Sequence, residues 1–331
     1  MLPVSRSNWQ PLRLVLFGIW IVICAGCADQ QTSTRYSEAQ LSLIEARRSS
    51  ANPRVAAGYY LDAADAALRS VNGRPTSATE DSRLIYNRSC QELTQLLHSH
   101  PELWDRTETI QGASHIYRLR FAAGSRPAGI WEPDYFNLFR NPKVGKESGA
   151  TPLSNGWGGN LVGVHTEPDP KKYFLPPRGL AVSVTAVVDT TRAGARDTGV
   201  RDATLSLYEP SKRGSIQLAG AGRQLDANFD APIAYYRNPG LLGLAAMTMP
   251  GKYRERTGLY LLEPYDPEQI PVVFIHGLMS VPHMWVPTIK VINSDPELRG
   301  RFQFWVFAYP TGNPILLLKG ALWVRSELRW A

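Results

Sequence analysis

The stretch that most constrains the fold runs from Pro271 to Pro310, PVVFIHGLMSVPHMWVPTIKVINSDPELRGRFQFWVFAYP. Val272–Ile275 is an unbroken apolar run. It is too short for a helix and suits a strand buried on both faces. His276-Gly277 ends it, and a polar, Pro-containing segment follows with helical character around Met284–Asn293. Phe302–Tyr309 is a second apolar run, rich in aromatics and closed by Pro310. Strand, crossover of about 25 residues and strand predict a parallel βαβ unit.

The residues at the end of the first strand, His276-Gly277-Leu278-Met279, resemble the α/β-hydrolase family of serine esterases and lipases. In that family a strand ends in His-Gly, and the loop after it lends a backbone N–H to the oxyanion hole. Tyr309-Pro310-Thr311-Gly312-Asn313-Pro314 is similar to the segment after the next family strand. The resemblance implies an oxyanion donor at the N–H of Leu278, assisted by Met279. It implies a turn at Gly277 that brings backbone close to substrate, and a structural His276. The rival is an unrelated parallel α/β domain in which His276 caps a strand.

The resemblance covers about the last hundred residues. The family nucleophile lies on a Gly-x-Ser-x-Gly turn after the next strand, and no such motif occurs in the 331 residues. Helix-like Ile315–Arg329 leads toward that position. The implied activity is ester hydrolysis by a Ser-His-acid triad, with lipid esters as the narrower option. Nucleophile, base and acid are missing, so these residues are expected to be inactive. Ser280 and His283 lie beyond the oxyanion turn with no acid placed to orient the imidazole, and are rejected as a dyad. Phe302–Tyr309 is expected to form an open, aggregation-prone edge where the missing strand would pair.

The amino terminus resembles a bacterial lipoprotein signal. Arg6 and Arg13 precede the apolar Leu14–Ile23, and Cys24-Ala25-Gly26-Cys27 follows. The resemblance implies cleavage before Cys27, lipid on its thiol and a polar tether over Asp29–Arg35. The family usually has Leu where Cys24 stands. An uncleaved anchor is the alternative, but the apolar span falls short of the roughly 20 residues that cross a bilayer. Residues 1–26 hold two arginines and no acid, so the net charge of +7 falls by two for a chain beginning at Cys27. A mild positive excess without a basic block argues against nucleic acid as a partner. After such processing only Cys90 remains, which excludes an intrachain disulfide. No His/Cys/carboxylate cluster has metal-ligand spacing, and no cofactor is expected. His98 and His100 are expected as a solvated pair at a helix end.

Between these ends the chain reads as helix, then strand. Tyr36–Arg48 is helical; Asn52-Pro53 caps an Ala-rich helix to Val71. Asp81–His98 sets Tyr86, Cys90, Leu93 and Leu97 on one face, making Cys90 a core residue. Ile116–Phe121, Leu180–Val188, Ala203–Tyr208 and Ser215–Ala219 alternate as strands, whereas Phe136–Trp157 and Pro168–Pro177 read as long loops. Trp131, Trp157 and nearby tyrosines are assigned to packing rather than to a ligand groove. Gly243–Met249 and Gly258–Glu263 read as paired strands opening the hydrolase-like part.

The expected fold class is α/β with additional α and β parts. Its divisions are a signal (1–26), a lipidated tether (27–35), a helical region (36–104), a β-rich region (105–230) and an incomplete α/β-hydrolase sheet (231–331). The expected location is a bacterial membrane, reached by export and a lipid anchor, with ester substrate only in a complete relative. The competing function is a lipid-anchored binding or scaffold protein that never catalyses.

Overall fold

The structure is a computed structural model. It describes residues 34–71, 77–100, 102–104, 106–122, 136–140, 156–169, 174–192, 199–236, 257–277, 280 and 282–310. The signal-like segment with Cys27, the strand expected at Gly243–Met249, Leu278, Met279 and the helix expected at Ile315–Arg329 lie outside these residues. No helix among them is long and apolar enough to cross a membrane.

Helix α1 spans 34–48 and so takes in the last two residues of the expected tether. Asn52 starts α2 (Pro53–Ser70) with extended backbone, and its side-chain oxygen accepts the Val55 N–H at 3.3 Å. That bond satisfies one of the donors a helix start leaves open. Six alanines of α2 are buried, and small side chains let its axis lie close to its neighbours. Gly58 is the extreme case, since a Cβ there would stand 2.1 Å from the Gln111 carbonyl oxygen.

Helix α3 (Ser77–His98) buries Tyr86, Cys90, Leu93 and Leu97 completely. Burial of each leucine contributes about 1.5–3 kcal/mol. Burial also pushes the Cys90 thiol up to about 12, which leaves it protonated and inert. Glu92 ties the three helices together, accepting from Arg47 of α1 (3.0 Å), Tyr60 of α2 (3.0 Å) and Arg88 of α3 (2.6 Å). The helix-end histidines do not form a solvated pair. His98 packs edge-on against Trp104 at 4.9 Å, and His100 pairs with Glu102 at 3.1 Å.

The helices cover a curled, mixed six-stranded sheet. Its strands are β1 (Glu108–Gln111), β2 (Ile116–Phe121), β3 (Phe136–Arg140), β4 (Gly159–His165), β5 (Leu180–Arg192) and β6 (Val200–Tyr208), in the order β1-β2-β6-β5-β4-β3. Only β2 and β6 run parallel; the other neighbours are antiparallel. Strand β3 corrects the long loop expected from Phe136: it pairs residue by residue with β4, from Phe136–His165 to Arg140–Leu161. Strand β5 is longer than expected and buried on both faces over Leu180–Val188. Leu180, Val182, Val184, Ala186 and Val188 belong to the core under the helices. On the other face Ala181 packs with Val162, Val164 and Ala231 of α4 (Asp230–Tyr235).

A hairpin of β7 (Ser215–Leu218) and β8 (Ala221–Gln224) turns at Ala219 and Gly220, whose φ values are +50° and +75°. Positive φ at both central positions matches the twist of a tight hairpin, and Gly220 adopts it without strain. A buried polar seam fixes α3 to the start of β4. Asn87 donates to the Gly156 carbonyl (3.0 Å) and accepts the Gly158 N–H (2.8 Å), while Arg83 donates to the same carbonyl (2.9 Å).

The remaining strands, β9 (Gly258–Leu261), β10 (Ile270–Ile275) and β11 (Phe302–Ala308), form a separate sheet in the order β10-β11-β9. Strands β10 and β11 run parallel in register from Ile270–Phe302 to Ile275–Phe307. A 3-10 turn (Pro282–Trp285), α5 (Val286–Ser294) and α6 (Pro296–Arg301) connect them. Two expectations are overturned. Strand β11 is central, not an edge, because β9 pairs antiparallel along its other side from Leu261–Trp305 to Gly258–Ala308. Among the described residues the edges are β10 and β9, and β10 is not buried on both faces: Val273 and Ile275 are 43% and 47% exposed, whereas Phe274 on the opposite face is buried under α5 with Ile289.

The two sheets are docked firmly. Leu261 and Trp305 belong to the main core. The Leu261 N–H donates to the Phe174 carbonyl at 2.8 Å. The Phe174 ring lies 5.7 Å from that of Trp305. Lys290 of α5 reaches Asp230 of α4 at 3.1 Å, with both side chains largely buried.

Candidate functional site

Because β10 and β11 are parallel and in register, their carboxyl ends emerge together at His276-Gly277 and Tyr309-Pro310. Ligand sites in open α/β sheets form at such ends, where loops diverge above the strands.

His276 is buried and fully engaged. Its ring stacks on Tyr309, with centroids 4.3 Å apart and planes 14° from parallel. Its Nε2 accepts the Tyr309 N–H at 3.3 Å. That assigns the proton to Nδ1, which lies 3.3 Å from the Gly277 carbonyl oxygen and donates to it. The Tyr309 hydroxyl returns a bond of 2.6 Å to the His276 carbonyl. Burial lowers the pKa of the imidazole despite the Gly277, Ser280 and Tyr309 backbone groups that oppose it. A neutral ring with both nitrogens occupied and no carboxylate among these partners is a fastener between strand ends, not a base.

The backbone conformation at Gly277 does not itself call for glycine. A Cβ at 277 would meet no heavy atom within 4 Å, and its φ lies outside the left-handed region. The fold alone tolerates a side chain there, so any demand for glycine has to come from what approaches the strand ends. Ser280 starts the next turn: its N–H reaches the Gly277 carbonyl at 3.3 Å, and its hydroxyl donates to the Met284 sulfur at 2.7 Å. The hydroxyl is thus spent on Met284, while His283 sits exposed on the following 3-10 turn. The oxyanion candidates Leu278 and Met279 fall outside the described residues.

Sequence reasoning missed the part played by Tyr309. The apolar run Phe302–Tyr309 marks it as the end of a strand, but nothing local shows that its ring meets His276, 33 residues away. It also missed the buried acids of α2. Asp62 accepts the Ala113 and Ser114 N–H groups (2.6 and 3.2 Å) and the Tyr117 hydroxyl (2.9 Å). Asp65 is paired to Arg201 and to Arg69 and accepts the Thr190 hydroxyl at 2.8 Å. His115 places Nδ1 3.8 Å from Asp62. With its donors already supplied, Asp62 staples the β1–β2 turn onto α2. Among the described residues no group of His, Cys, Asp or Glu could hold a metal ion.

Comparison with family models, with curated proteins and with solved structures finds no match to this chain.

Proposed function

We propose that these residues contain the oxyanion-loop portion of an α/β-hydrolase-like ester hydrolase, carried on an exported, lipid-anchored protein. The observation that carries the reading is the junction at the carboxyl ends of β10 and β11. There a parallel strand ends in His276-Gly277, a helical crossover follows, and His276 is locked to Tyr309 of the next parallel strand. A fixed His276 holds the start of the loop still, so the backbone N–H groups of Leu278 and Met279 are the groups proposed to face a developing oxyanion. Fixed backbone dipoles stabilise such charge without reorganisation. An oxyanion hole without a nucleophile has nothing to stabilise, and no Gly-x-Ser-x-Gly occurs in the 331 residues. Hydrolysis is therefore not assigned to them alone. A fluorophosphonate probe tests the reading on residues 27–331 and on a version extended by any downstream reading frame. Labelling of the extended form alone supports it; labelling of residues 27–331 that Ser280→Ala abolishes refutes it.

A second reading has its own support. Among the described residues the largest core is built mainly by the helices and the six-stranded sheet, and of its buried members only Leu261 and Trp305 come from the part that carries the hydrolase resemblance. A lipid-anchored binding or scaffold protein would use that body. Under this reading the extended chain also fails to label.

A further inference from the structure

Helix α1 is the first described element after Cys27, and its inner face enters the main core through Ala39, Leu43 and Ala46. The Arg35 guanidinium donates to the Arg69 carbonyl near the end of α2 at 3.1 Å. The Ser114 hydroxyl donates to Glu38 at 3.0 Å, and Arg47 reaches Glu92 of α3 at 3.0 Å. Helix α1 therefore lies over α2 and α3, and α2 is buried along most of its length. The outer face of α1 is not simply polar. Ser37, Leu41, Ile44 and Arg48 recur at intervals of four, three and four, which sets them in one stripe along the helix, and all four are exposed. Leu41 is 63% exposed and Ile44 39%. Arg48 pairs with Glu45 at 2.7 Å, but both partners are solvent-exposed, and such pairs are held weakly.

The length of chain before α1 decides what covers this stripe. Thr34 is seven residues on from Cys27. Seven residues span at most about 25 Å even when fully extended. A lipid on Cys27 therefore keeps the start of α1 within that distance of the bilayer, whatever path the intervening residues take. Transfer of one exposed aliphatic side chain out of water favours the bound state by about tenfold or more. Two such residues bind a membrane poorly from free solution. Held on a short tether, they meet it at an effective concentration of about millimolar or more, and the same small patch suffices.

We propose that the outer stripe of α1 docks on the surface of the bilayer that holds the anchor. Leu41 and Ile44 enter the headgroup layer, and Arg48 gives up Glu45 for lipid phosphate. Aliphatic stems low in the interface with guanidinium heads at the phosphates are the arrangement of a helix that lies on a membrane rather than through it. This inference rests on the lipid-anchor part of the function proposed above. It also fixes which way the protein faces. The helices lie against the membrane, while α4 and α5, which pack beyond the opposite face of the six-stranded sheet, point away from it.

Residues 28–331 with an amino-terminal hexahistidine tag, held on vesicles by a nickel-chelating lipid, test the docking without relying on Cys27. The vesicles also contain phosphatidylglycerol and a phosphatidylcholine with brominated acyl chains. Residues 1–27 carry none of the described structure, and Cys90 is buried, so a thiol-reactive fluorophore marks the introduced cysteine. Gln40→Cys puts it on exposed α1 beside the stripe, and Val291→Cys puts it on exposed α5. Bromine should quench the fluorophore at 40 at least about threefold more than at 291. Leu41→Gln combined with Ile44→Gln changes exposed side chains, which the fold tolerates, and should bring quenching at 40 down to the level at 291. Equal quenching at the two positions in the parent overturns the proposal, as does quenching at 40 that survives the double substitution. Sedimentation of the lipid-free parent as a dimer that the double substitution splits also overturns it, since the stripe would then belong to a second copy. Membrane fractionation of the Cys27→Ser chain reads the anchor separately, so that failure of the anchor and failure of the docking are told apart.

Discussion

Replacing Gly58 with Ala sets two effects of known size against each other. Gly58 is inside α2 with ordinary helical backbone, so Ala should gain about 1 kcal/mol from propensity. The new methyl, however, would lie 2.1 Å from the Gln111 carbonyl oxygen, 2.8 Å from its carbon and 3.1 Å from the Gly112 Cα. All three are backbone atoms, and the β1–β2 turn that carries them is bolted to α2 through Asp62. Relief requires α2 and β1 to separate by about 1 Å, enough to thin the alanine packing along the helix and lengthen the Asp62 bonds. Overpacking of a tight core costs about 1–3 kcal/mol, and weakening two bonds to a charged acceptor adds about 1–2 kcal/mol. The steric side wins, and the net loss should be about 2 kcal/mol. Equilibrium urea unfolding followed by far-ultraviolet circular dichroism measures it as a lower midpoint at constant slope. A variant as stable as the parent, or more stable, would show that α2 and β1 do not approach this closely.

Three further outcomes follow from the same structure. Tyr309→Phe keeps most of the ring stack on His276 but removes the bond to its carbonyl, and should cost about 1 kcal/mol in the same unfolding assay. In amide exchange on the monomer, central Phe304–Phe307 should be strongly protected. Val273 and Ile275 on the β10 edge should exchange faster; equal rates along both strands would contradict the order β10-β11-β9. Cys27→Ser should release the protein from membranes or block its processing, and unchanged fractionation and mobility would count against the lipid anchor.

Much of the fold was legible where periodicity is strong. Tyr86, Cys90, Leu93 and Leu97 repeat at helical spacing and all end up fully buried. Tyr117 and Leu119 alternate with exposed Arg118 and Arg120. Strand β3 was hidden because FNLFR is five residues long and embedded among Gly, Pro and Lys, whose local preferences are for turns. Both faces of β5 are buried, but one carries Ala181, Ser183 and Thr185, which look solvent-facing until α4 covers part of it. The parallel pairing of β2 with β6 leaves no local trace, since it joins residues more than 80 apart. The reversal of the β10 and β11 edges has a related cause. Both runs are apolar, and which one lies centrally depends on where β9 docks. Of the candidate site, the sequence identified His276 and Gly277 as the end of a strand. It could not show that Tyr309 occupies the imidazole, because that contact is made by pairing two strands across a crossover.

The central proposal is that the strand ends at His276 and Tyr309 position the oxyanion loop of an α/β-hydrolase-like ester hydrolase. Steady-state hydrolysis of short p-nitrophenyl esters tests it most directly, comparing residues 27–331 with a version extended by any downstream reading frame that supplies a Gly-x-Ser-x-Gly turn. The account predicts turnover by the extended chain alone, abolished when the serine of that turn is replaced by alanine. Turnover by residues 27–331, or none by the extended chain, would contradict it.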